Sequence, residues 1–248
     1  MTTETTPATR TAIVTGGSRG IGRRVATRLA ADGYAVVINY ASNTEEAEAA
    51  VREVEATGGR AVAVRADVAD EVAVAALFDT AEQAYGGIDV VVHAAARMPL
   101  APLAELDLDA LDALHRTNIR GTFVVDQQAV RRLRPGGAIV NFSSSVVGLA
   151  FPGYSAYAAS KGAVEAMTLV LARELRGRDV TVNAVAPGPT DTDLLRANSE
   201  ERIRQLAAQP PLERLGTPDD IAEVVAFLAS PAGHWVNGQV LRANGGII

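Results

Sequence analysis

The sequence predicts one α/β domain: a doubly wound parallel sheet of about seven strands, with helices on both faces. Three observations carry this expectation. Short runs rich in valine and isoleucine alternate with helix-like stretches of 10 to 25 residues, the spacing that parallel crossover units need. The strand-like runs are apolar throughout rather than alternating, as strands covered on both faces are. No repeat, low-complexity tract or linker interrupts the 248 residues.

Thr11-Ala-Ile-Val-Thr15 is an apolar run closed by Gly16 and reads as the first strand. Ile21, Val25 and Leu29 then fall at helical spacing up to Asp32-Gly33, a plausible C-terminal cap. Ala35–Tyr40 is strand two. Asn43 opens an Ala/Glu-rich helix, with Glu46 three residues on as in a capping box. Ala61–Val64 and Ile88–Val92 read as strands three and four, with a helix from about Asp70 to Tyr85 between them. The turn Pro135-Gly-Gly137 precedes strand five, Ala138–Phe142. Strand six is Val180–Val185, after Gly177, and Gln239–Arg242 is the seventh. The longest stretch without a clean pattern, Gly188 to Gly216, is a candidate lid within the domain 11–248.

Composition removes several classes of function. The chain has no cysteine, so disulfides and thiolate metal sites are excluded. His93, His115 and His234 stand too far apart for common zinc spacings, and no metal is expected. A net charge of −6 gives no basic footprint for nucleic acid. No apolar run reaches the ~18 residues of a membrane span. Residues 1–10 have no apolar leader core and read as a short disordered tail, with the cytosol as the default location.

Function begins at the turn Thr15-Gly-Gly-Ser-Arg-Gly-Ile-Gly22. A chain leaving a strand for a helix there must present backbone N–H groups to an anion, and glycines permit the tight path. Gly16, Gly20 and Gly22, with Ser18, Arg19 and Ile21 between them, supply a GxxxGxG dinucleotide fingerprint in strand–turn–helix context, which makes the fold Rossmann-type. The same letters also spell a hydrolase elbow at Ser18, with His234 completing a Ser–Asp–His order. That reading ranks lower, because the elbow would sit on the first strand. Strand two ends in Tyr40-Ala41-Ser42-Asn43, with no carboxylate before Glu45. A ribose 2′-phosphate meets no opposing charge there, and Arg19 is a base within reach, so NADP(H) is favoured over NAD(H).

Tyr157 and Lys161 stand four apart in a helical segment and share a face, with Ser144 thirteen residues upstream of Tyr157. A free phenol has a pKa near ~10, and an ammonium one turn away is expected to lower it. Ser144 would hydrogen-bond the substrate oxygen and stabilise developing negative charge.

With these residues in view, the chain resembles the short-chain dehydrogenase/reductases from about Thr11 to Gly246. TGGSRGIG at 15–22, Asp67-Val68, Asn118 with Gly121, Ser144, Tyr157/Lys161, Pro187-Gly188 and the ending Val236–Gly246 fall in family order. Within the family it is most similar to 3-oxoacyl carrier-protein reductase-like and polyhydroxynaphthalene reductase-like members. The resemblance implies a catalytic set of Asn118, Ser144, Tyr157 and Lys161, in which Lys161 also binds the nicotinamide ribose. Asn118 would anchor a water linking Lys161 to solvent. Asp67 and Val68 would lie at the adenine, Ala94 and Ala95 along the cofactor, and Pro187, Gly188, Thr190 and Thr192 at the nicotinamide end. The family's Asn-Asn-Ala-Gly after strand four is here His93-Ala94-Ala95-Ala96, and its usual aliphatic residue after Pro-Gly is Thr190. Of three consecutive serines, the spacing to Tyr157 selects Ser144, while the following Val-Val-Gly fits Ser145 in some members.

The expected activity is NADPH-dependent, reversible reduction of a ketone or other carbonyl to an alcohol, with Tyr157 as general acid. Arg97, Met98, Phe151, Tyr154, Leu194 and Leu195, with Ser144, form the expected substrate wall. Their mixed apolar character suits a hydrophobic ketone with a polar group. A sugar, polyol or secondary-alcohol dehydrogenase of the same family remains open. A catalytically silent NADP-binding regulator is disfavoured, because Tyr157 and Lys161 are both present. The family resemblance also implies a homotetramer assembled through its two long helices.

Overall fold

Seven parallel strands in the order β3-β2-β1-β4-β5-β6-β7 form one sheet in the computed structural model, which describes residues 10–248. The strands are β1 (Thr11–Thr15), β2 (Ala35–Tyr40), β3 (Arg60–Arg65), β4 (Ile88–His93), β5 (Leu133–Phe142), β6 (Val180–Pro187) and β7 (Val240–Ala243). The longer crossover helices are α1 (Gly20–Ala31), α2 (Thr44–Ala56), α3 (Glu71–Tyr85), α4 (Leu108–His115) and α5 (Gly121–Arg132). A four-residue α6 (Val146–Leu149) precedes α7 (Ser155–Glu174); α8 (Asp193–Arg196), α9 (Glu200–Ala207) and α10 (Pro218–Ala229) follow β6.

Each strand sends alternate side chains to opposite faces, and two separate cores result. Val14, Val36, Val90, Val140 and Val185 pack with Leu29, Val54 and Leu228 of α1, α2 and α10. Ile13, Val37, Val91, Ile139 and Val182 pack with Phe78, Val125 and Leu171 of α3, α5 and α7. Burial on both faces is why the strands read as unbroken apolar runs. Among the described residues, no helix is long and apolar enough to cross a membrane.

The expected helix starts hold where a side chain caps them. The Asn43 side chain accepts from the Glu46 N–H, and Asp70 accepts from Val72 and Ala73. Elsewhere the boundaries differ. β5 begins at Leu133 rather than Ala138: the Pro-Gly-Gly segment stays in the sheet as an irregularity in the β4–β5 register, where a residue without an N–H is tolerated. Between α4 and α5 the backbone forms a π-helical turn over Arg116–Arg120 that holds Asn118. The tail expected over residues 1–10 lies outside the described residues except for Arg10, whose guanidinium stacks 4.7 Å over the Tyr34 ring.

Asp126 of α5 is buried beneath β5, where its Oδ2 accepts from Asn141 Nδ2 at 2.9 Å. Burial pushes this carboxyl up to about 7, against the pull of the Asn141 bond. The folded chain therefore keeps a proton that the unfolded chain releases near 3.8. Stability must then fall as pH rises from about 4 to about 7, because the unfolded state binds fewer protons in that window. Denaturation midpoints at pH 5 and pH 8 should differ more for wild type than for Asp126→Asn; parallel profiles would contradict this assignment.

Candidate active site

The glycine turn after β1 is built by steric exclusion. Gly16 has φ +63°, and a Cβ there would lie 2.9 Å from the Ala95 Cα. A Cβ on Gly22 would lie 2.3 Å from the Gly16 carbonyl oxygen. Only glycine permits these approaches. Arg19 precedes α1 without capping it, and the first turn carries no acidic residue. The first N–H groups of this 12-residue helix thus present an uncapped positive end to a phosphate. Ser18 is nearly buried beneath the turn and Arg19 is exposed.

The turn is tied to β2 by Gly17 N–H donating to the Asn39 carbonyl at 3.0 Å. Tyr40 is buried at the end of β2, and its hydroxyl donates to Thr44 Oγ1. Ala41 and Ser42 are exposed just beyond it. Asp67 receives the Arg116 guanidinium at 2.7 Å, and Val68 is buried against Gly121. One charged residue here was missed by sequence reasoning. Arg65, at the end of β3, pairs in register with Tyr40 and donates Nε to the Ala41 carbonyl at 3.1 Å. The strand pattern offered a signal, an arginine ending the strand beside β2, but only the register places it.

The His93–Ala96 turn has its own bracing. Thr15 Oγ1 accepts from Ala95 N–H at 3.3 Å and lies 2.8 Å from His93 Nδ1. The direction of the Thr15–His93 bond follows the imidazole tautomer, because the hydroxyl can either donate or accept. Burial and the charge of Lys161 push the His93 pKa down to about 3, so the ring is neutral. His93 thus joins the turn after β4 to β1 through Thr15.

Asn118, Ser144, Tyr157 and Lys161 converge at the carboxyl ends of β4 and β5. Asn118 is buried in the π turn, a feature frequent at functional sites. Its Oδ1 accepts from Arg97 N–H at 2.8 Å, and its Nδ2 donates to the Arg97 carbonyl and to Ser160 Oγ at 2.9 and 3.1 Å. Ser160 Oγ in turn donates to the Tyr157 carbonyl at 2.7 Å. Asn118 therefore positions both the Arg97 loop and the start of α7. The three serines separate by partner. Ser143 Oγ donates to Glu165, and Ser145 Oγ donates to the Ala186 carbonyl while accepting from Asn244. Ser144 Oγ accepts from Val146 N–H at 3.4 Å, and of the three serines it is the one close enough to pull on the Tyr157 phenol.

Lys161 is the only lysine in the chain. It is buried, donates Nζ to the Phe142 carbonyl at 2.7 Å, and lies 5.7 Å from the Tyr157 ring centroid. The expectation that it lowers the Tyr157 pKa is corrected here. Burial pushes Tyr157 up to about 12, and the Ser144 bond offsets only part of this. Burial likewise pushes Lys161 down to about 8, so it is still mainly an ammonium near neutrality, donating to the Phe142 carbonyl.

Pro187 ends β6 and Gly188 follows it, where a Cβ on Gly188 would lie 2.9 Å from Asn244 Cα. Thr190 is buried and donates to the Gly188 carbonyl; Thr192 sits across from Gly20. The candidate lid is an arch pinned at its feet. Gly216 N–H donates to Pro189 and Asp191 N–H donates to Gly216, at 2.9 and 2.8 Å. Its span carries α8 and α9, with Leu195 half-buried and Leu194 exposed. Phe151 and Tyr154 meet edge to face at 5.7 Å, and Ala101 N–H bonds Gly153, which brings the Arg97–Met98 loop alongside. The hydrolase alternative fails on placement: His234 pairs with Asp179 just before β6, at the sheet's amino edge, whereas Ser18 lies at its carboxyl edge.

Because Lys161 is the sole lysine, protein labelled with 15N-lysine gives a single Nζ resonance. Its titration midpoint is expected near 8; a midpoint at the ordinary 10.5 would contradict the desolvation of this buried amine.

A family model described as Enoyl-(Acyl carrier protein) reductase matches residues 16–248. A short-chain type dehydrogenase/reductase of Picea abies is 45% identical over 250 residues, covering 96% of this chain and 92% of that one. The chloroplastic NADPH-dependent aldehyde reductase 2 of Arabidopsis thaliana is 39% identical, covering 97% and 94%. The crystal structure of a short chain dehydrogenase from Burkholderia cenocepacia J2315 in complex with NADP superposes with a TM-score of 0.90 at 42% identity, covering 96% and 97%. The chain is therefore an oxidoreductase of the short-chain dehydrogenase/reductase family.

Proposed function

We propose that this protein reduces a ketone or aldehyde to an alcohol with NADPH, reversibly. The observation that carries the reading is the placement of the Tyr157 phenol beside Ser144, with the Lys161 Nζ 5.7 Å from its ring centroid. The cofactor reading rests on the Cβ-free cradle, on Arg19, and on the absence of a carboxylate at Tyr40–Asn43. The Burkholderia relative in complex with NADP and the Arabidopsis NADPH-dependent reductase support it. The bound nicotinamide supplies the hydride.

Ser144 and Tyr157 together receive the carbonyl oxygen, and Ser144 steadies charge developing on it. The Tyr157 O–H bond then breaks and its proton passes to that oxygen. A phenol held near 12 keeps its proton until it is needed, and an alkoxide is a stronger base than phenolate, so transfer runs downhill. The Lys161 ammonium stabilises the phenolate left behind. Asn118 holds the Arg97 loop and the Tyr157 carbonyl in place through Ser160. Phe151, Tyr154, Met98 and Leu195 offer apolar walls for a hydrophobic carbonyl compound. Phe123 on α5 and Val170 on α7 are large apolar side chains left exposed on the two helices that would pair copies into a homotetramer.

Tyr157→Phe should lower kcat by roughly 10²–10⁴-fold while NADPH affinity stays within about threefold of wild type. Ser144→Ala should lower kcat far more than Ser145→Ala. A Tyr157→Phe enzyme that keeps most of its turnover removes the mechanism.

A further inference from the structure

The geometry points to Arg65 as a second cation of the 2′-phosphate site, and so as a determinant of NADPH over NADH selectivity. This inference rests on the NADP(H) reading above.

Strand order supplies the argument. β2 lies between β1 and β3, so its carboxyl end, Tyr40-Ala41-Ser42, is flanked by the termini of both neighbours. On one side the glycine turn after β1 carries exposed Arg19 and is tied to β2 through Gly17. On the other, β3 ends in exposed Arg65, in register with Tyr40. The Arg65 side chain does not reach toward an acid; it folds back over the β2 terminus and donates Nε to the Ala41 carbonyl at 3.1 Å. Among the described residues it makes no ion pair. Its two terminal amino groups remain available beside the exposed Ala41–Ser42 backbone.

A guanidinium that spends one donor on anchoring keeps a planar face of further donors, suited to a phosphate. Anchoring also reduces the rotamer freedom lost when the phosphate arrives. The nearest sequence acid after Tyr40 is Glu45, inside α2, so no carboxylate occupies the segment between the two arginines. Arg65 and Arg19 would then hold the 2′-phosphate from opposite sides of β2. Arg65 makes no contact with the reacting atoms and acts on cofactor choice alone.

The test is calorimetric titration of wild type, Arg65→Ala and Arg65→Gln with NADPH and with NADH. The glutamine variant keeps an amide donor for the Ala41 carbonyl and removes the charge. Loss of one charge-assisted contact should weaken NADPH binding by roughly tenfold in both variants, with NADH changed by less than twofold. Adenosine 2′,5′-bisphosphate should follow NADPH, and 5′-AMP should follow NADH. If wild type prefers NADPH and Arg65→Gln keeps that ratio, Arg65 serves only to brace the edge strand and the inference is overturned. Equal weakening of both cofactors in Arg65→Ala also overturns it. A wild type that prefers NADH overturns the cofactor reading itself, and this inference with it.

Discussion

The close approach of two backbone turns, Gly16 after β1 and Ala94–Ala95 after β4, is the constraint on which the site depends. β1 and β4 are neighbours in the sheet but not in sequence. The chain winds outward from β1 toward β3 in one direction and from β4 toward β7 in the other, so a crevice opens between them at the carboxyl edge. The depth of that crevice is set by how near the two turns come, and no Cβ fits at Gly16. Thr15 holds the contact from below, bonded to both Ala95 and His93. The same edge receives Ser144 from the end of β5 and the Tyr157–Lys161 face of α7, so the reacting groups gather where the nucleotide would lie.

Much of the frame was legible in sequence. β1 and β2 were readable residue for residue, because a strand buried on both faces is an unbroken apolar run closed by glycine or a polar turn. The spacing to Tyr157 pointed to Ser144, and of the three serines it is the one that lies against the phenol, while Ser143 and Ser145 bond elsewhere. What was not legible depends on tertiary contact. Nothing in Arg116–Arg120 distinguishes a π turn from an α turn; the deviation accompanies the two-sided grip of Asn118 on Arg97. Pro135-Gly-Gly137 reads as a turn but stays in the sheet, because Asp179 accepts the Gly136 N–H. The lid's helices, α8 and α9, are too short to print a periodicity.

Local electrostatics were the least legible part. Spacing puts an ammonium beside a phenol and suggests a lowered pKa. Desolvation, which spacing does not report, decides the sign instead, raising Tyr157 and lowering Lys161. The proposed donor therefore starts protonated, as the proposed carbonyl reduction requires. His93 gives a parallel lesson: where the family has an asparagine, a buried neutral ring braces the turn through Thr15.

The most direct test of the account is isotopic. Purified protein is incubated with an aromatic ketone or aldehyde panel and NADPH deuterated on each face of nicotinamide C4 in turn. The account predicts that one deuterated form, and not the other, yields alcohol one mass unit heavier, with the label on the carbinol carbon. Alcohol formed without label from either form, or no alcohol from any carbonyl in the panel while NADPH binds tightly, would contradict it.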